Sequence, residues 1–178
     1  MRCICPDPHM PVHQLAANAA LGLEYLTNYS SKLGFVLGVL QYHCVCRGEK
    51  VLIIVEWELV SWLVEVVLYM TGVRVEAVYS NMASRDRGEV LQQFDDPSSD
   101  LKVLTGTARA IGKGQNLQQS CHVLLILEPQ SSLGATQHII GRVHRLGQAR
   151  AQTIYIATCE YSYDVKRLAS SVRAFVTA

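Results

Sequence analysis

The run Val51-Leu-Ile-Ile-Val55 is apolar at every position rather than at alternate ones. A strand of that kind needs cover on both faces, which marks a central parallel strand flanked by helices. Residues 57–70 follow with apolar side chains at 59, 60, 62, 63, 66, 67 and 70, a helical spacing. Further apolar runs at 73–79, 101–104, 122–127 and 153–158 alternate with helical patterns at 84–94, 136–146 and 163–175. Ser84 is placed to cap the first of these helices, and residues 95–100 read as a polar turn. Residues 12–46 read as mostly helical. Strand–helix alternation predicts right-handed crossovers and a three-layer α/β/α sandwich with a mostly parallel sheet. Ligands of such sheets bind beyond the carboxyl ends of the strands, here the segments after Val55, Tyr79, Leu104 and Leu127.

A chain of 178 residues suits one domain and is too short for two full lobes. With 49% hydrophobic and only 17% charged residues, it is not a disordered tail. The net charge of +1 conceals an asymmetry. Residues 51–100 hold nine acids and three bases, whereas 101–159 hold six bases and one acid, Glu128. Such a chain can turn a basic face to phosphates while staying neutral overall, although ordinary solvated surface explains the pattern equally well. The six cysteines include Cys3/Cys5 and Cys44/Cys46. Their Cys-x-Cys spacing is too tight for a usual zinc site, so no metal is expected. Residues 1–13 contain no apolar signal region, which points to free thiols in a reducing intracellular compartment. Glu56, Glu58 and Glu65 interrupt the most apolar stretch, so no membrane span is expected.

Several chemistries lack their parts. Gly106-Thr-Ala-Arg-Ala-Ile-Gly112-Lys113-Gly114 imitates a phosphate loop but has five residues between its glycines and Gly114 where a hydroxyl is needed. There is no Gly-x-Gly-x-x-Gly, no Gly-x-Ser-x-Gly and no His-Glu-x-x-His. Cys121-His122 sits in a strand, where neighbours point to opposite faces, and reads as core plus surface. The chain by itself has no visible grip on a nucleoside triphosphate.

Two segments carry chemistry. The first, residues 103–117, is a strand breaking into a loop with Thr107, Arg109 and two glycines. Its amides and Thr107 hydroxyl can donate to phosphate oxygens, though taken alone it fits a structural strand-end turn better. The second is Gln137-His-Ile-Ile-Gly-Arg-Val-His-Arg-Leu-Gly-Gln-Ala-Arg150. On a helix Arg142 and Arg145, three apart, aim at one target, and a guanidinium fork suits a phosphate chain. A solvated basic helix is the plain alternative.

Together with Ser31-Lys32-Leu33, Gly48-Glu-Lys-Val-Leu-Ile-Ile54 and Arg87-x6-Phe94, these segments resemble the second RecA-like lobe, the helicase C-terminal domain, of superfamily 2 ATPases. His-Arg-x-Gly-Gln after Gln-x3-Gly-Arg is most similar to the Swi/Snf-type chromatin-remodelling branch. The resemblance spans about residues 30–165, leaving 1–29 as a helical or partly disordered extension and 166–178 as a C-terminal helix. It implies a P-loop-NTPase-like fold without a P-loop of its own. It implies that Arg145 and Arg142 are arginine fingers aligned by Gln137. Gly112, Gly114 and Asn116 would then form the loop that couples ATP state to DNA grip, and Thr107, Ala108, Arg109 and Lys113 would touch the DNA backbone.

On that resemblance ATP and its magnesium are held by a first lobe, in cis or trans, and the protein works in the nucleus. This chain alone is expected not to hydrolyse ATP. Ile111 stands where the family usually has glycine, and Glu128-Pro-Gln-Ser-Ser lacks the usual tryptophan. Those departures keep open a second reading, a non-catalytic interaction module or truncated relic of such a protein.

Overall fold

The computed structural model describes residues 19–112 and 117–176. Strands β1 (Lys50–Val55), β2 (Val75–Val78), β3 (Val103–Thr107), β4 (Cys121–Ile126) and β5 (Thr153–Ile156) form one parallel sheet in the order β2-β3-β1-β4-β5. β1 is central, with Val51 paired to Val103 on one side and Val123 on the other, and all six of its residues are buried.

Period-2 alternation splits its side chains between two apolar layers. Val51, Ile53 and Val55 face helices α2 (Ser31–Leu40) and α3 (Glu58–Thr71), meeting Leu33, Val36, Leu40, Val64 and Val67. Leu52 and Ile54 face α4 (Ser84–Asp95) and α5 (Leu133–Ile140), meeting Leu91, Phe94 and Ile139. The expected three-layer RecA-like sandwich is the observed one. Helix α1 (Ala19–Asn28) places Leu23 and Leu26 on the first layer, so this part of the expected extension belongs to the lobe, while residues 1–18 lie outside the described residues. Helix α6 (Tyr163–Val176) closes the chain; Ser171 Oγ donates to the Gln130 carbonyl, and Arg167 pairs with Glu56.

Two local expectations are corrected. Ser84 does not cap α4. Ala83 occupies the cap position with extended backbone and Ser84 is the first helical residue, while Arg87 fixes the turn by donating to the Ser80 and Met82 carbonyls. The third strand runs 103–107, not 101–104, because Thr105, Gly106 and Thr107 continue the ladder with β1. Gly106 is required there. A Cβ at Gly106 would stand 2.8 Å from the Val78 carbonyl oxygen and 3.3 Å from Ile111 Cγ1.

At the amino ends of the strands, α2 runs on as a π-helical segment, Gln41–Cys46, and a buried carboxylate ties it to the sheet. Glu49 accepts from His43 Nδ1 at 2.6 Å and Arg47 Nε at 2.8 Å, and His122 Nε2 lies 3.4 Å away. His43 Nε2 meets the Tyr155 hydroxyl at 3.0 Å. His122 is therefore buried against Glu49 rather than a surface residue, and burial holds its pKa below the ordinary value. Nearby, Lys50 Nζ donates to the carbonyls of Phe94 (2.8 Å) and Asp96 (2.5 Å). Cys44 and Cys121 are buried thiols pushed up to about 12 by desolvation, and so stay neutral. Among the described residues no group of three His, Cys, Asp or Glu could hold a metal, and no helix is long and apolar enough to cross a membrane.

Two outcomes follow from this packing. Gly106→Ala overpacks backbone against backbone and lowers unfolding free energy by about 1–3 kcal/mol, read from urea unfolding. Glu49 behaves differently, through pH. Burial pushes its carboxyl up, but the His43 and Arg47 hydrogen bonds outweigh that and hold it below 4.5. A depressed carboxyl pKa gives stability that is complete above 4.5 and is lost as pH falls through the folded value. Glu49→Gln lowers stability by about 1.5–3 kcal/mol at neutral pH and makes the urea midpoint fall less steeply with acid than in the unmodified chain.

Candidate nucleotide and nucleic-acid interface

The first candidate segment leaves β3 as a tight turn. Thr107 Oγ accepts from the Ala110 amide at 3.0 Å, the Ile111 amide donates to the Thr107 carbonyl, and Gly112 donates to Arg109. The amides of Ala110, Ile111 and Gly112 are thus taken up inside the turn and are not the phosphate donors that the sequence suggested. Thr107 itself is buried, and the Arg109 side chain is exposed. Gly112 closes the turn at φ +82°, a left-handed conformation that favours glycine. Ile111 is buried against Gly106 in the second apolar layer, so the departure from the family pattern anchors the turn. Lys113, Gly114 and Asn116 lie outside the described residues.

This turn borders an open cleft at the carboxyl ends of the strands, whose other walls include Glu56, Trp57, Glu58, Ser80 and Gln130. Glu58 accepts from the Ser80 amide at 2.7 Å, and its hydrogen bonds to Ser80 hold its carboxyl below the usual range. The cleft therefore has a cationic wall at Arg109 and an anionic one at the start of α3.

The second candidate segment is not one helix over 136–146. Helix α5 starts earlier, with Ser132 Oγ accepting from the Ala135 amide at 3.1 Å, and ends at Ile140. Gly141 occupies its carboxyl cap, and residues 141–147 continue as tight turns held by mixed bonds such as Arg142 N to Ile139 O and His144 N to Ile140 O. Tertiary contacts force the change. Gln148 Nε2 donates to the carbonyls of Cys121 (3.0 Å) and Val143 (3.2 Å), and the Leu117 amide donates to the Arg142 carbonyl (3.3 Å). A straight helix through Leu146 could not make those bonds. Gln137, Gly141, His144 and Gln148 do not share one helical side: Gln137 is exposed on α5 and Gln148 points inward to β4.

Arg142 is half-buried and Arg145 exposed. Burial, and next the neighbouring charge of Arg145, hold the Arg142 guanidinium below its ordinary value. Among the described residues no carboxylate lies within ion-pair distance of Arg145. Two like charges set side by side make a site that an anion relieves. Because Gln148 is bonded to the first residue of β4, this turn lies at the amino end of that strand, not at the carboxyl rim where the sheet pattern placed the ligand. The Thr107 turn and the arginine turn thus lie at opposite ends of the sheet, while Leu117, the last residue of the first segment, is bonded to Arg142 of the second. They share one support, since Ala110, Ile111, Leu117, Ile139 and Val143 belong to a single apolar cluster.

The helicase conserved C-terminal domain family matches residues 32–147. A probable global transactivator of Orgyia pseudotsugata multicapsid polyhedrosis virus is 25% identical over 78% of this chain and 28% of its own length. The DNA repair protein RAD5 of Eremothecium gossypii is 34% identical over 47% of this chain and 8% of its own. The chromatin remodeling factor mit1 of Schizosaccharomyces pombe is 22% identical over 88% of this chain and 11% of its own. This chain therefore spans less than a third of the length of each of these relatives. The crystal structure of the C-terminal part of the Fun30 ATPase domain superposes with a TM-score of 0.74 at 20% identity, covering 92% of this chain and 55% of that one. Sequence family and fold agree: the chain belongs to the helicase conserved C-terminal domain family and has the RecA-like fold of the C-terminal part of the Fun30 ATPase domain.

Proposed function

We propose that this lobe completes an ATP-dependent DNA translocase, supplying Arg145 and Arg142 to ATP held by a first lobe and gripping the DNA backbone at its carboxyl rim. The supporting observation is the pinned turn that carries Arg145, exposed and without a carboxylate partner among the described residues. A guanidinium on a fixed turn offers a planar fork to the phosphate chain at little ordering cost. Gln137, in the second turn of α5, would take the alignment role. Gly112 ends the turn that links the two surfaces, and Gly114, Asn116 and Lys113 extend it in sequence. At the other surface, Thr107, Ala108 and Arg109 border the cleft that would meet phosphates. Magnesium belongs to the first lobe in this scheme, and the relatives' printed roles in DNA repair and chromatin remodelling favour a nuclear setting.

Two measurements test the scheme. Joined behind a first lobe that carries a phosphate loop, this chain restores DNA-stimulated ATP hydrolysis, and Arg145→Ala lowers kcat by ~10³–10⁵-fold, the range of known arginine fingers. The chain alone shows no turnover; hydrolysis by the isolated chain that Arg145→Ala abolishes would overturn the scheme. For the rim, Arg109→Ala weakens DNA binding equally on unrelated sequences and reduces the slope of log affinity against log salt by about one. An unchanged slope removes Arg109 from the backbone contacts.

A further inference from the structure

The amino ends of the strands hold a cavity that the proposed ATP and DNA contacts do not use. Its volume is about 200 Å³. Four adjacent strands contribute to it: Lys102 precedes β3, Lys50 begins β1, His122 stands in β4, and Arg150 leads into β5. Lys50 and His122 form a buried floor, 4% and 7% exposed, and the strand order sets Lys102 and Arg150 on its two sides.

The charges around this cavity do not cancel. Glu49, on its wall, is spent on His43 and Arg47. Lys50 Nζ is held by the Phe94 and Asp96 carbonyls, and the charges of Asp96 and Asp95 act on it as well. Lys50 is thereby balanced. Lys102 has only the Gly48 carbonyl, at 3.1 Å, and the Arg150 guanidinium has no hydrogen bond. Among the described residues neither has a carboxylate within ion-pair distance. Both press on the floor. Burial first, and Lys102 next, hold the Lys50 ammonium below its ordinary pKa. Burial also holds His122 down, and Arg150 adds to it against the opposing pull of Glu49.

An anion seated among these groups relieves that repulsion, and size selects which anion. The cavity is smaller than the roughly 300–1,000 Å³ that sites for drug-sized ligands occupy, so a nucleoside triphosphate is too large for it. One tetrahedral oxyanion fits. The Arg150 fork offers it a planar pair of donors and Lys102 a point charge. Gln118, on the same wall, leaves its buried Oε1 without a partner, so rotation of that amide toward a ligand breaks no hydrogen bond of this atom.

We infer that this cavity binds a single phosphate-like oxyanion between Lys102 and Arg150, over the floor of Lys50 and His122. The site is separate from the ATP and DNA contacts proposed above and does not rest on them. It has a consequence for the arginine turn. Arg150 comes five residues after Arg145, and Gln148 between them is already tied to Cys121 and Val143. An anion joining Arg150 to Lys102 adds a second fastening to the outgoing end of that turn. Free phosphate and the phosphoryl group of a modified side chain present the same chemistry.

The test is a titration of the nitrogen-15-labelled full chain with inorganic phosphate, and in parallel with N-acetylphosphoserine amide, against chloride at equal ionic strength. Phosphate gives saturable amide shifts at Lys102, Gln119, His122 and Arg150, and chloride gives none. Lys102→Met and Arg150→Ala each weaken the affinity about tenfold, the worth of one charge-assisted hydrogen bond, with the rest of the spectrum unchanged. Binding of phosphate without the phosphoserine derivative identifies the free ion as ligand. Tighter binding of the derivative identifies a phosphorylated side chain, and either result keeps the site. Shifts that chloride reproduces, or an affinity that survives both substitutions, overturn it. Binding lost in Arg145→Ala but kept in Arg150→Ala moves the ion to the arginine turn and overturns it too.

Discussion

Everything that this lobe presents to a partner hangs on the start of β4. Cys121 begins the strand, its carbonyl holds the Gln148 side chain, and four residues earlier the Leu117 amide holds Arg142. These bonds convert a sequence that alternates apolar and basic residues into a fixed turn. Without them residues 141–147 have little reason to leave the helix except Gly141, and the two guanidiniums would sweep through rotamers that carry about 2 kcal/mol of entropy each. The same anchor ends the segment that starts at Thr107. Leu117 and the Ile139–Val143 packing join the two turns through one apolar cluster.

The layering was legible because burial on both faces of a central strand leaves an unmistakable pattern. Val51-Leu-Ile-Ile-Val55 admits one placement, and Lys50 joins it only because its ammonium finds the Phe94 and Asp96 carbonyls. Boundaries were less legible where tertiary bonds outvote local preference. Ser84 has the chemistry of a cap, yet Arg87 reaching back to Ser80 and Met82 shifts the helix start by one residue. The 136–146 helix was a sound reading of spacing, but period 3.6 says nothing of a glutamine that will be claimed by a strand 27 positions away. The candidate site residues were named by motif rather than by physics. Arg145 could be named from sequence, whereas the placing of the arginine turn and the Thr107 turn at opposite ends of the sheet could not, because it depends on the direction in which α5 runs back across the sheet.

The Glu49 network shows the converse, a feature that no motif announced. His43 and Arg47 come from the π-helical segment and its cap and His122 from β4, and folding brings the three to one carboxylate. Its place at the amino ends of the strands, joining the π-helical segment to β1, β4 and β5, fits a structural role. A buried carboxylate with donors from three sides fixes register where apolar packing alone would allow sliding.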